Sequence, residues 1–299
     1  MNGAAEIEGL RHRFVEANGL RFHVAECGTG ERLALCLHGF PELWYSWRHQ
    51  MPLLARLGYR VWAPDLRGYG QSERPPRRRD YDIEILMNDV AGLIDASGAR
   101  QTLLIAHDWG GVIGWLFAIR RLRALERLVM MNIPHPVPFL RALRTAKQLR
   151  SSWYVLFFQL PWLPEKLLGA RGAQAIGDML RRTSCHPERL SDEDLAVFRK
   201  AAAQPGALTA MLNYYRMLVQ GPGARRQRAL GFPVIETPTL MIWGEEDVAL
   251  SKETTHGTER YVADLTLRYL PGVSHWVQQD DPEAVNAILE AWLTGQPVP

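Results

Sequence analysis

Cysteine is scarce in this 299-residue chain, with Cys27, Cys36 and Cys185 the whole complement. Their spacing pairs nothing and matches no metal-ligand pattern, which argues against a disulfide scaffold or a zinc module. Reduced, mostly structural thiols of a cytoplasmic protein are expected, with no metal and no cofactor. Long hydrophobic runs are also missing. No stretch approaches the about eighteen apolar residues that a membrane-spanning helix needs. Residues 1–6 have neither a basic start nor an apolar core, so no signal peptide is expected. Charge of one sign is nearly absent in excess: 35 Lys and Arg face 32 Asp and Glu, for a net +3. The basic groups are short (Arg77-Arg78-Arg79, then Arg141, Arg144, Lys147 and Arg150, then Arg181-Arg182 and Arg225-Arg226). They read as solvated helix faces, not as a groove for nucleic acid. Repeats and low-complexity tracts are absent.

What is present suits a large core. Hydrophobic residues make up 47% of the chain and ten are tryptophan, which leaves no room for a disordered reading. The length suits one large domain, or a core with an insertion. Strand-length apolar runs recur at 13–17, 20–26, 33–37, 60–63, 102–106, 127–131, 239–242 and 265–270. Asn18-Gly19 between the first two is a type I′ hairpin signal. From Leu33 onward strands alternate with helices, which predicts an α/β fold with a mostly parallel sheet and right-handed crossovers. Ligands then collect at the carboxyl ends of the strands.

Between Pro134 and about Gly231 the rhythm turns helical, at 139–150, 152–159, 165–168, 173–182, 192–203 and 207–219. Prolines 134, 136 and 138 and Gly221-Pro222-Gly223 mark its edges as exit and return points. The organisation expected is a core over 1–134 and 231–299, with a helical lid over 135–230. The aromatic segment 153–162 is expected to line a buried pocket in preference to meeting lipid.

The chemistry concentrates at Ala106-His107-Asp108-Trp109-Gly110-Gly111. An apolar strand, small residues around a central acid and a following helix-like stretch have the layout of a nucleophile elbow. Small residues belong there because the tight turn leaves no space for a bulky Cβ. Asp is also a favoured helix N-cap, so Asp108 alone would prove little. As a nucleophile its meaning is specific. Serine attacking a saturated carbon would leave an ether, a dead end, whereas a carboxylate leaves an ester that water can cleave. Substitution at carbon follows, with an epoxide or an alkyl halide as the substrate.

Two further strand ends supply partners. Asp247 follows the strand at 239–242, and His275 follows the last strand. The order nucleophile, acid, histidine is that of α/β-hydrolases. His275 would take a proton from water while Asp247 fixes its tautomer. Glu245 and Glu246 compete with Asp247, whose shorter side chain suits an acid tucked beneath the histidine. Backbone N–H groups of Trp109 and Phe40 are candidate oxyanion donors. Phe40, Pro41, Trp109, Phe157 and Trp276 are candidate substrate contacts.

The motifs His38-Gly39-Phe40-Pro41-Glu42 with Trp47-Arg48, Asp65-Leu66-Arg67-Gly68-Tyr69-Gly70-Gln71-Ser72, His107-Asp108-Trp109-Gly110-Gly111 and Asn132-Ile133-Pro134-His135-Pro136 form a recognisable set. Together they resemble the signature of the α/β-hydrolase-fold epoxide hydrolases, the soluble epoxide hydrolase-like family, over nearly the whole chain. The resemblance implies an eight-stranded, mostly parallel sheet flanked by helices with an all-helical cap, and a cis Phe40-Pro41 bond. It also implies two cap tyrosines that hydrogen-bond the epoxide oxygen. Leu212-Asn213-Tyr214-Tyr215-Arg216 matches one motif, giving Tyr215. Trp153-Tyr154-Val155-Leu156-Phe157-Phe158-Gln159 matches the other, giving Tyr154. Phenols stay protonated at neutral pH and can assist an alkoxide leaving group. Neighbours on a helix point about 100° apart, so Tyr214 and Tyr215 cannot both face one pocket.

The partners implied are a small apolar or aromatic epoxide and water, with a monomer or homodimer as the assembly. A haloalkane dehalogenase is the first rival, sharing the aspartate and the following Trp109, but such enzymes add a second halide donor, an Asn after His-Gly or a cap Trp, and the first of those positions is Phe40 here. A hydrolase fold serving as a silent small-molecule sensor is the rival from another class, since fold alone does not prove activity. A sensor would be expected to have lost a member of the set, and none is missing.

Overall fold

The computed structural model describes residues 7–299. The segment 1–6, read above for a signal peptide, lies outside the described residues. Eight strands form one sheet: β1 (Arg11–Ala17), β2 (Leu20–Cys27), β3 (Arg32–Leu37), β4 (Tyr59–Pro64), β5 (Thr102–His107), β6 (Arg127–Met131), β7 (Thr239–Gly244) and β8 (Leu265–Leu270). Their order across the sheet is β1-β2-β4-β3-β5-β6-β7-β8. β1, β2 and β4 pair antiparallel, and every pair from β4 to β8 is parallel. The β1–β2 turn has positive φ at both Asn18 (49°) and Gly19 (69°), as an Asn-Gly hairpin requires.

Strand alternation divides the core into two apolar layers. Leu33, Leu35 and Leu37 of β3 and Leu104 and Ala106 of β5 face one layer. Ala34, Cys36, Leu103 and Ile105 face the other. Helix α1 (Met51–Arg56) packs on that second face. Helices α2 (Ile83–Ser97) and α3 (Asp108–Arg120) cover the first. Because both faces of the central strands are covered, they read as continuous apolar runs without a polar alternate.

Between β6 and β7 lie seven helices: α4 (Pro136–Ala142), α5 (Ala146–Ser151), α6 (Trp153–Phe157), α7 (Leu163–Thr183), α8 (Asp192–Ala202), α9 (Ala207–Gln220) and α10 (Pro222–Ala229). After β8 come α11 (Val277–Asp280) and α12 (Pro282–Thr294), on the face shared with α1.

Local chemistry explains where these differ from the sequence expectation. The helix expected over 139–150 is interrupted because Thr145 adopts an extended backbone and its side chain caps Gln148 N–H, starting α5 afresh. Within α7 the backbone breaks at 170–173, where Arg171, Gly172 and Ala173 have positive φ, and this is the gap expected between 168 and 173. Helix α10 was not expected. Gly221-Pro222-Gly223 reads as a breaker, but Pro222 takes the first helical position, where a missing N–H costs nothing. The Asp82 carboxylate accepts the Gly223 N–H. Among the described residues no helix is long and apolar enough to cross a membrane.

Candidate active site

Asp108 sits at the junction of β5 and α3 with φ of 46°, a left-handed backbone uncommon for a non-glycine residue. The turn brings two chain segments nearly into backbone contact. A Cβ on Gly110 would lie 2.3 Å from the Leu37 carbonyl oxygen, and one on Gly39 would lie 2.3 Å from Asp108 Oδ1. Glycine is required at both positions for the same reason: the β3 end and the elbow share one space. The approach delivers the Phe40 N–H to Asp108 Oδ1 at 2.7 Å. The Phe40–Pro41 peptide is cis, as the resemblance implies.

The other two strand ends converge on the same point. His275 Nδ1 lies 2.6 Å from Asp247 Oδ2, and His275 Nε2 faces Asp108 Oδ2 at 3.6 Å. Of the three neighbouring acids, Asp247 is the one set against the histidine. Glu245 instead pairs with Lys252, and Glu246 is exposed. Asp247 Oδ1 accepts the N–H groups of Ala249 and Leu250, both at 2.8 Å. Its Oδ2 also accepts the Asn132 amide at 2.8 Å. That carboxylate is held in place on every side.

Burial pushes the Asp108 carboxyl upward, but the neighbouring His275, His107 and the Phe40 N–H outweigh it and leave it below its ordinary value. Burial likewise depresses the His275 imidazole, yet Asp247 and Asp108 together raise it well above the usual histidine range. In the free protein the imidazole thus favours the ionised Asp108, and the two carboxylates favour the protonated imidazole.

A cavity of about 580 Å³ opens over them, lined by Phe40, Asp108, Tyr154, Phe158, Tyr215, His275 and Trp276 and opening past Arg150, Trp153 and Val248. That volume suits a drug-sized molecule. Both tyrosines are raised above the ordinary phenol, by burial first and then by the negative charge of Asp108. Their rings meet edge to face at 5.9 Å. Tyr214 points the other way and donates its hydroxyl to the Arg67 carbonyl at 2.8 Å. Helix α9 thus separates the two neighbours as its geometry demands.

Three expected substrate contacts fall elsewhere. Phe157 is turned off the cavity and packs against Trp153 and Phe158, so the aromatic that lines the wall is Phe158, one position on. Trp109 is buried behind Tyr215, with ring centroids 5.0 Å apart, and buttresses it. Pro41 is buried without reaching the cavity. The segment 153–162 is divided: Tyr154 and Phe158 face inward, whereas Trp153, Leu156 and Trp162 are exposed.

Sequence reasoning missed a supporting layer. Asn132, with φ of 41°, donates to both Gly244 O and Asp247 and accepts Gly244 N–H, tying the end of β6 to that of β7. His107 bridges Glu42 (2.8 Å) and the His275 carbonyl oxygen (2.9 Å). Glu42 is completely buried and also accepts from Gln279 at 2.7 Å. All three residues belong to motifs quoted from the sequence. Their roles depend on partners far along the chain, so no local signal could give them.

A family model described as alpha/beta hydrolase fold matches residues 35–282. The AB hydrolase superfamily protein YfhM of Bacillus subtilis is 39% identical over 97% of this chain and 100% of its own length. Epoxide hydrolase 3 of Xenopus tropicalis is 41% identical over 92% of this chain and 75% of its own length. The crystal structure of an epoxide hydrolase from Vigna radiata superposes with a TM-score of 0.84 at 34% identity, covering 97% of this chain and 100% of that one. The chain belongs to the α/β-hydrolase-fold epoxide hydrolases.

Proposed function

We propose that the protein hydrolyses small apolar epoxides to vicinal diols through an ester on Asp108. The reading rests on one observation: a carboxylate at the elbow apex and two protonated phenols, Tyr154 and Tyr215, line one cavity. The names of the relatives point the same way. In the first step an Asp108 oxygen attacks an epoxide carbon and the C–O bond breaks. The leaving oxygen takes a proton from a phenol, which the His275 imidazolium replenishes. Segment 135–230 serves as the cap that brings the phenols over the elbow.

The elevated imidazole then serves a purpose. Once Asp108 is an uncharged ester, one of the two charges holding the proton on His275 is gone, and neutral imidazole becomes accessible. Water attacks the ester carbonyl, passing a proton to His275 while Asp247 offsets the developing imidazolium. The Phe40 and Trp109 N–H groups stabilise the oxyanion. Collapse of that intermediate breaks the bond to the diol oxygen, which takes the proton left on the new Asp108 carboxylic acid, so the diol departs, the carboxylate is restored and His275 keeps the proton it took from water. Phe40 offers no polar side chain for a departing halide, which disfavours dehalogenation.

Single turnover in heavy-oxygen water tests the route. The first diol released should be unlabelled, because its new oxygen comes from Asp108, and the label should appear in the protein. A labelled first diol would mean direct attack by water.

A further inference from the structure

One surface of the cap is left unexplained by hydrolysis. From Ala146 to Phe157 the chain forms two short helices, α5 and α6, joined through a single turn residue, Ser152 (φ −89°, ψ 11°). Leu149, Trp153 and Leu156 follow one another at helical spacing, and Leu160 and Trp162 in the turn beyond and Leu167 on α7 add exposed apolar side chains after them. All six are between 44% and 71% exposed. Inward-facing Gln148, Tyr154 and Phe158 occupy the other side of the same stretch. An amphipathic segment has therefore turned its second apolar stripe to solvent.

Between Arg141 and Lys166 every charged side chain except Glu165 is basic. Arg141, Arg144, Arg150 and Lys166 are exposed. The nearby acids are already engaged, Glu253 with Lys147 and Glu165 with Arg216. Trp153 of the stripe and the flanking Arg150 both border the cavity, and exposed Val248 lies on the same rim. The apolar face and the mouth are continuous.

We propose that this face docks on an anionic lipid surface, with the cavity mouth turned toward the bilayer. Tryptophan is favoured at the membrane–water interface, exposed leucines enter the acyl boundary, and flanking cations meet lipid phosphates. A second copy of the chain is the poorer occupant, because a two-fold contact through this patch would set the same cations against each other. Apolar substrates concentrate in lipid, so docking shortens their path to Asp108. That consequence rests on the epoxide reading; binding itself does not, and it is measured without turnover.

The test is flotation of the full chain with phosphatidylcholine vesicles and with vesicles containing phosphatidylserine. Binding to the anionic vesicles is expected, at least tenfold tighter than to the neutral ones and weakened by high salt. The pair Leu156→Ser and Trp162→Asn, the latter tolerating the left-handed φ at that position, should abolish flotation. The pair Arg144→Glu and Lys166→Glu should weaken it about thirtyfold or more. All four positions lie off the cavity wall, so hydrolysis of a water-soluble epoxide should persist in both variants and report that they fold. Loss of that hydrolysis together with flotation would be resolved by circular dichroism, a folded variant that no longer floats still counting in favour. No binding of wild type to anionic vesicles, or binding unchanged in both variants, overturns the proposal. So does a dimer in ultracentrifugation that Leu156→Ser and Trp162→Asn convert to monomer, which would assign the face to self-association.

Discussion

At the scale of single residues, the arrangement of charge around His275 makes a prediction with a definite sign. Asp108 and Asp247 both raise the imidazole, so its titration should drop when either charge is removed. In Asp108→Asn the pKa read by NMR should fall relative to wild type while Asp247 continues to support it. A group raised in the fold contributes stability that is complete below its unfolded value of about 6.5 and is lost as pH climbs through the folded value. Asp108→Asn should accordingly bring that loss to lower pH in thermal melts. The tyrosines differ just as clearly. Tyr215→Phe should lower epoxide turnover by about a hundredfold, the low end of general-acid contributions. Tyr214→Phe should keep turnover and cost about 1 kcal/mol of stability, because its lost hydrogen bond goes to the Arg67 carbonyl. Equal losses of turnover in the two variants would show that α9 does not sort them. Here the sequence was informative, since spacing alone required one tyrosine to face away. It could not say that Phe158 and not Phe157 would line the wall, because α6 is short and its rotation is set by packing.

At the scale of elements, the elbow works because β3, β5 and α3 approach so closely that the Phe40 N–H reaches Asp108. Gly110→Ala would drive a methyl into the Leu37 carbonyl, a contact of backbone against backbone that no rotamer relieves. Chemical denaturation should show a loss of about 3 kcal/mol, the upper end for overpacking. An unchanged midpoint would mean that the strand and helix are not so tightly joined. The strands were readable because two-sided burial makes continuous apolar runs, and each expected strand lies within an observed one. The helices of the cap were less readable. Thr145 and Pro222 each carry two readings, breaker or starter, and which one holds depends on what the adjoining backbone can bond. Asp82 settles that question for α10 from 141 residues away.

At the scale of the whole molecule, the cap is fastened to the core by buried charge. Asp194 on α8 accepts the Tyr45 hydroxyl at 2.8 Å and lies 3.5 Å from Arg48, which also donates to Gln279 at 2.8 Å. Arg48 and Asp194 are both almost fully buried. Removing one partner strands the other in a poor solvent, so Asp194→Ala should destabilise the protein by about 3–5 kcal/mol in denaturant unfolding. A cost below about 1 kcal/mol would mean that water already reaches Arg48. The sequence by itself determined the kind of molecule: strand ends carry Asp108, Asp247 and His275 in order, because a parallel sheet presents its carboxyl ends on one side. It also narrowed the chemistry open to the site, since an acid where serine could stand changes which bonds can be made and cleaved. The tertiary structure alone decided which supporting residues meet. Asn132 and Asp247, Glu42 and His107, and Arg48 and Asp194 are each brought together across long stretches of chain, and such contacts leave no period in sequence. It also decided which of the cap's apolar residues are buried and which face solvent, because one amphipathic segment can bury only one side against the core.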